Sequence, residues 1–256
     1  GMLQRESRHV TAGGATVFTL LAFWLATQSA AVPVRPFAVG IAGGAAVLCL
    51  LTALRPFSDG LAAALFRTAE PTHALRLGAR LVMMVLLFAL PGWAAFPGVL
   101  DSLAESGRPL LYTGQLLGSV VGLSVLALGA VGFLVRRGAR ETFDRLGLRT
   151  LRPAHYGVVA LGMAALYVLN AGTEGLQHHW FPDLWDHDQR MSRLIAGGLG
   201  LGGSLLLGVS AGVGEELAMR GALQPRLGLV LTSLVFAVLH VHYSWFGVAI
   251  IFLLGM

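Results

Sequence analysis

The sequence predicts an all-α protein: a polytopic membrane helix bundle with about seven full transmembrane helices plus the start of an eighth. Three observations predict it. Long apolar runs recur along the whole chain of 256 residues. Only 12% of the residues are charged and 55% are hydrophobic, whereas a soluble domain carries about 25% charged residues. The mean hydropathy is +0.73.

A spanning helix needs about 20 apolar residues. The runs that meet this are 11–32, 37–54, 77–98, 110–135, 155–172, 194–213 and 227–244. The eighth opens at Trp245 with "WFGVAIIFLLGM" and covers about a dozen residues, too few to cross. The first run spans and is followed by no clear small-residue cleavage site, so it reads as a helix and not as a leader. The stretch "FSDGLAAALFRTA", 57–69, reads as a short amphipathic helix in the interface. Gly114, Gly118 and Gly122 in the fourth run, and Gly198 and Gly202 in the sixth, read as close-packing positions. The lone Cys49 excludes a disulfide within the chain.

The formal net charge is +5 and every basic residue is arginine. With the N-terminus in the cytoplasm, only Arg35, Arg108, Arg190 and Arg193 of the 18 arginines fall outside. The positive-inside rule therefore sets that orientation. It also places Glu215 to Arg226 at the cytoplasmic end of the sixth helix. No basic face of the kind that reads phosphates and bases is present, so nucleic acid is excluded as a partner. The expected partners are the lipid bilayer and a peptide or protein substrate.

Ionisable groups in a membrane helix cost several kcal/mol at mid-depth and face a cavity or a partner. In "GVGEELAMRGAL", 212–223, Glu216 and Arg220 are four apart, share a helix face and can pair. Glu215 is about 100° away from Glu216 around the helix. Beside a second carboxylate and partly desolvated, it is expected to have a raised pKa, which suits a general base acting on water. The alternative is that these charges only mark the helix end.

"LTSLVFAVLHVHYSWF" places Phe236 and His240 four residues apart, on one face of the seventh helix. "LQPRLG", 223–228, predicts a tight turn joining helices six and seven as antiparallel neighbours. Glu215 lies about ten residues before that turn and His240 about a dozen after it. At ~1.5 Å per residue their depths then differ by only a few ångströms. Glu215 and His240 are therefore candidates for a water-activating pair or for two ligands of a metal. His242 is about 200° from His240 on a helix and cannot point into the same site unless the helix breaks. A second cluster, "QHHWFPDLWDHD" at 177–188, contains His178, His179, Asp183, Asp186, His187 and Asp188. Its spacing fits no compact zinc pattern, and it reads as a solvated external loop anchored by Trp180, Phe181 and Trp185.

"EELAMR" and "FAVLH", in this order, resemble the EExxxR and FxxxH motifs of the CAAX protease and bacteriocin-processing family of intramembrane metalloproteases, which includes the type II CAAX prenyl proteases. "DRLGLRTLRPAHYG", 144–157, resembles that family's arginine-rich lead-in. The resemblance divides the chain into variable N-terminal transmembrane helices, 1–139, and a catalytic core, 140–256. It implies a further motif, a histidine followed four residues later by asparagine, on a helix beyond Met256. It implies an intramembrane endopeptidase acting on a membrane-associated substrate, prenylated or bacteriocin-like, in a bacterial plasma membrane. Glu215 activates water in this picture, and His240 assists. Glu216 and Arg220 hold and orient the helix, and Phe236 lines the pocket. The cofactor is either a divalent metal such as zinc, shared by Glu215 and His240, or none. The alternatives are a non-catalytic scaffold or bacteriocin-immunity protein of the same fold, and a transporter. The last lacks the paired interrupted helices it would need.

Overall fold

The computed structural model describes residues 2–27, 35–106, 111 and 113–256, with the backbone alone at 35 and 95–106. The described residues are helical nearly throughout. In chain order the helices are α1 (Met2–Thr27), α2 (Arg35–Leu51), α3 (Arg55–Phe66), α4 (His73–Ser106), α5 (Thr113–Val131), α6 (Ala139–Arg145), α7 (Pro153–Trp180), α8 (Pro182–Ala196) and α9 (Leu201–Val209). Two π-helical stretches follow, Ser210–Glu215 and Leu217–Leu223, and then α10 (Gln224–Val238) and α11 (Trp245–Gly255).

Five helices among the described residues are long and apolar enough to cross a membrane, or six if the bent pair α2 and α3 counts as one. This is fewer than the seven expected, for two reasons. The runs 194–213 and 227–244 are counted together in the apolar stretch Leu201–Val238, although Gly228 separates two helices within it. The run 37–54 ends early, because the chain bends by 96° between α2 and α3. Pro56 in the first turn of α3 is compatible with a helix start but not with continuation of α2. The segment 57–69, expected as a short amphipathic helix, lies largely within α3, Arg55–Phe66. The expected helix ends at 28–32, 110 and 112, and Arg108, lie outside the described residues.

The chain divides into two compact units. The first comprises Gly1–Ser106 and Val238–His242. Its α1, α2 and α4 pack around Phe18, Ala45, Ala46, Cys49 and Leu87. Small residues make this packing possible. A Cβ on Gly14 would come within 2.8 Å of the Met84 sulfur and 2.9 Å of the Cys49 sulfur. Where lipid replaces water, such close approach is the main source of helix association. Cys49 is a buried free thiol that donates to the Thr11 carbonyl.

The second unit comprises Gly107–Ala237 and Tyr243–Met256. Its α5 packs against the π-helical stretches through Ala127, Val131, Leu146 and Ala222, with Leu128 and Leu217 at the margin. α7 is apolar, and Gln177 is its only buried side chain. That suits a helix surrounded by hydrocarbon. Just past its C-terminal end, Phe181 meets Trp245 edge-on and Phe246 at a tilt, with ring centroids 5.6 and 5.3 Å apart.

Candidate functional site

The backbone that carries "GVGEELAMRGAL" is not an ordinary α-helix. π-helical turns run from Ser210 to Glu215 and from Leu217 to Leu223, with Glu216 between them. Such turns give up the i→i+4 pattern for a wider loop and are found mostly as single turns at functional sites. The local sequence permits this. Gly208, Gly212 and Gly214 loosen the helix at little steric cost, and two other contacts hold it in place. The Ser210 hydroxyl donates to the Leu116 carbonyl on α5 at 3.3 Å. A Cβ on Gly221 would meet Leu146 Cδ2 at 2.9 Å and its carbonyl oxygen at 3.2 Å. The motif is thus clamped on both sides of its acids.

Glu215 is half-buried and Glu216 exposed. The expected pair forms: Arg220 Nε lies 3.5 Å from a Glu216 oxygen. Arg220 also donates from Nη1 to the Gly255 carbonyl at 2.5 Å, and the Ser233 hydroxyl donates to the same oxygen at 2.6 Å. Arg220 therefore joins its own helix to the end of α11. The glycines singled out for close packing behave differently. Gly114, Gly118, Gly122 and Gly202 would meet nothing within 4 Å. Within the motif, tight approaches occur at Gly214, against Leu123, and at Gly221.

The turn expected at 223–228 is a break at one residue. Gly228 has φ 77° and ψ 172°, with helical backbone on either side. That φ is open to glycine and strained for other residues. Arg226 satisfies carbonyls next to the break, donating to Ala222 at 2.8 Å and to Ala130 on α5 at 3.0 Å.

α10 stops at Val238. Phe236 lies in its last turn and is half-buried. His240 is therefore not on a helix, as expected, but in the turn that leads to α11. The helix breaks where His242 required it to, and the two imidazoles are neighbours, with centroids 5.6 Å apart. The turn is anchored within the first unit: Val241 is buried, and its Cγ2 would be 2.8 Å from a Cβ on Gly92 of α4. Glu215, Glu216, Arg220 and Phe236 belong to the second unit and His240 to the first.

The histidine- and aspartate-rich segment 177–188 is not a loop. α7 runs through Trp180, and α8 starts at Pro182. Asp188 is buried, and its function is structural. One carboxylate oxygen accepts from the Ser244 backbone N–H at 2.6 Å. The other accepts from Gln177 Nε2 at 2.6 Å and the Ser244 hydroxyl at 2.7 Å. Ser244 in turn caps α11 by accepting from the Gly247 N–H at 3.1 Å. A catalytic zinc takes three protein ligands and leaves one position open. Among the described residues no group of three His, Cys, Asp or Glu side chains assembles to hold a metal. The steps below are therefore written for the side chains of this chain alone.

Comparison with known proteins bears on the same segment. Residues 198–256 match the family model described as type II CAAX prenyl endopeptidase Rce1-like. The chain is 29% identical over 140 residues to the uncharacterised protein YpbD of Bacillus subtilis (strain 168), an alignment covering 52% of this chain and 71% of that protein. No solved structure matches. With five apolar spans among the described residues and this match, the chain is an integral membrane protein.

Proposed function

We propose that this Rce1-like segment makes the chain an intramembrane endopeptidase that hydrolyses a peptide bond of a membrane-associated substrate, prenylated or bacteriocin-like. The observation that carries the reading is the ordered pair Glu215-Glu216-x-x-x-Arg220 and Phe236-x-x-x-His240, which lies wholly within the matched residues 198–256. The π-helical backbone under the two glutamates supports it.

The chemistry is general-base hydrolysis. Glu215 takes a proton from water as the water oxygen bonds to the scissile carbonyl carbon. The tetrahedral intermediate then collapses, the C–N bond breaks, and the proton held on Glu215 passes to the leaving nitrogen. His240 assists by hydrogen bonding to the attacking water. Glu216, paired with Arg220, holds the helix so that Glu215 keeps its orientation, and Phe236 lines the substrate pocket. The catalytic core is 140–256, following variable helices 1–139. The N-terminus lies in the cytoplasm of a bacterial cell, and the motif opens toward that side of the plasma membrane.

The test is Glu215→Gln in the chain expressed from its natural gene, with cleavage of a cognate membrane substrate followed in isolated membranes. Cleavage should fall by about 10²-fold or more, the usual contribution of a general base, with the thermal unfolding midpoint unchanged. Undiminished cleavage by a folded variant overturns the reading.

A further inference from the structure

The first unit holds a second polar feature, remote in sequence from the motif. A cavity of about 380 Å³ lies among the ends of α1, α3 and α4, lined by Ser7, Arg8, Arg55, His73, Arg76 and Arg80 among others. Four of these are arginines. The lining contains no carboxylate; Asp59, beside it, pairs with Arg76 and lies 3.7 Å from Arg55. One carboxylate against four guanidiniums leaves the cavity strongly positive.

Arg80 distinguishes this cavity from a row of arginines that merely orients a membrane protein. Orienting arginines lie in water or among headgroups, but Arg80 is only 4% exposed. Its Nη1 donates to the Ser7 hydroxyl at 2.7 Å. Ser7 is neutral and is itself engaged, donating to the Gln4 carbonyl at 3.0 Å. The buried Nε of Arg80 has no hydrogen-bond partner. A guanidinium taken out of water costs several kcal/mol unless an opposite charge and a full set of acceptors meet it. Nothing in the wall of the cavity provides the missing charge. The backbone adds to the imbalance: α3 begins at Arg55 and α4 at His73, so two helix N-termini border the same space. Leu54, the N-cap of α3, offers no side-chain acceptor to its first turn. Helix N-termini and paired guanidiniums together favour a tetrahedral oxyanion.

We propose that this cavity is a binding site for a phosphate group, carried either by an anionic lipid headgroup or by a soluble phosphate ester. The phosphate supplies acceptors for Arg80 and Arg8 and offsets the charge that Asp59 leaves unbalanced. The site is independent of the peptidase reading, and neither depends on the other.

The experiment uses the whole chain, purified in detergent and stripped of lipid. Binding and thermal stabilisation are measured with short-chain phosphatidylglycerol, short-chain phosphatidylcholine and inorganic pyrophosphate. Arg80→Gln removes the buried charge. Because that variant can fail to fold, Arg8→Gln, at an exposed position on the cavity, serves beside it. Arg149→Gln, an exposed arginine of the second unit, controls for general charge. Phosphatidylglycerol or pyrophosphate should bind more tightly than phosphatidylcholine, and Arg8→Gln should weaken that binding about tenfold, the loss of one charge-assisted hydrogen bond. Arg149→Gln should leave it unchanged. Binding of phosphatidylglycerol but not pyrophosphate assigns a lipid headgroup, and binding of both assigns a site open to soluble esters. No preference for either anion over phosphatidylcholine, or an equal loss in Arg8→Gln and Arg149→Gln, overturns the proposal.

Discussion

Arg80 on α4 and Arg220 in the second π-helical stretch are both arginines within candidate membrane spans, and the two units treat them in opposite ways. Arg80 is buried, reaches across to α1, and donates to a hydroxyl there. Arg220 is partly exposed, reaches along its own helix to a carboxylate four residues back, and caps a carbonyl of α11. The first arrangement leaves a positive charge in need of a ligand, and the second balances a charge within the chain. The contrast separates two uses of a costly charge in a membrane protein: in the readings proposed above, one recruits an anion from outside, and the other stiffens a helix next to the proposed general base.

Substitutions that treat the two units differently sharpen this contrast. The largest effect is expected at the turn held by the first unit. His240→Ala should lower cleavage by about 10²-fold while leaving the unfolding midpoint in place. Retained cleavage would detach this turn from the reaction. Next is Asp188→Ala in the second unit. It strips the acceptor from Ser244 and Gln177 together and should cost about 3 kcal/mol, read as a drop in thermal stability in detergent. Glycines come third. Gly221→Ala presses a methyl on the Leu146 backbone and should cost about 1–3 kcal/mol. Gly202→Ala meets open space and should stabilise the helix by up to about 1 kcal/mol. A reversal of that order would contradict the packing described for the π-helical stretches. The smallest effect is at the exposed pair: Glu216→Gln should change stability by less than about 1 kcal/mol, although it relaxes the helix that carries Glu215.

The all-helical membrane architecture was legible in the sequence because apolar runs report burial in lipid directly. α1, α4, α5 and α7 lie where those runs predict. The Glu216–Arg220 pair was legible as well, since four-residue spacing survives the widened turns. Three features were not. Periodicity cannot register a helix that stops at Val238 within apolar sequence, so it places His240 on a helix and turns His242 away from it. Composition marked 177–188 as solvated because it counts polar residues without seeing their partners. Asp188 is buried only because Gln177, eleven residues earlier, and Ser244, on the far side of the motif, converge on it. By charge pattern alone Arg80 is one more cytoplasmic arginine. Its burial depends on Ser7, on another helix, and no local pattern encodes that pairing. A glycine's spacing likewise says that close approach is possible, while the neighbour decides whether it happens. Hence Gly221, and not Gly202, lies against another backbone.

The central claim is that Glu215 activates water. Its most direct measurement is cleavage of a membrane-associated peptide substrate in water enriched in oxygen-18, comparing the native chain with Glu215→Gln and Glu216→Gln in the same membranes. The native chain should place one heavy oxygen in the new carboxyl terminus. Glu216→Gln should do so at a reduced rate, and Glu215→Gln should yield no product above background. Labelled product from folded Glu215→Gln at the native rate would contradict the account.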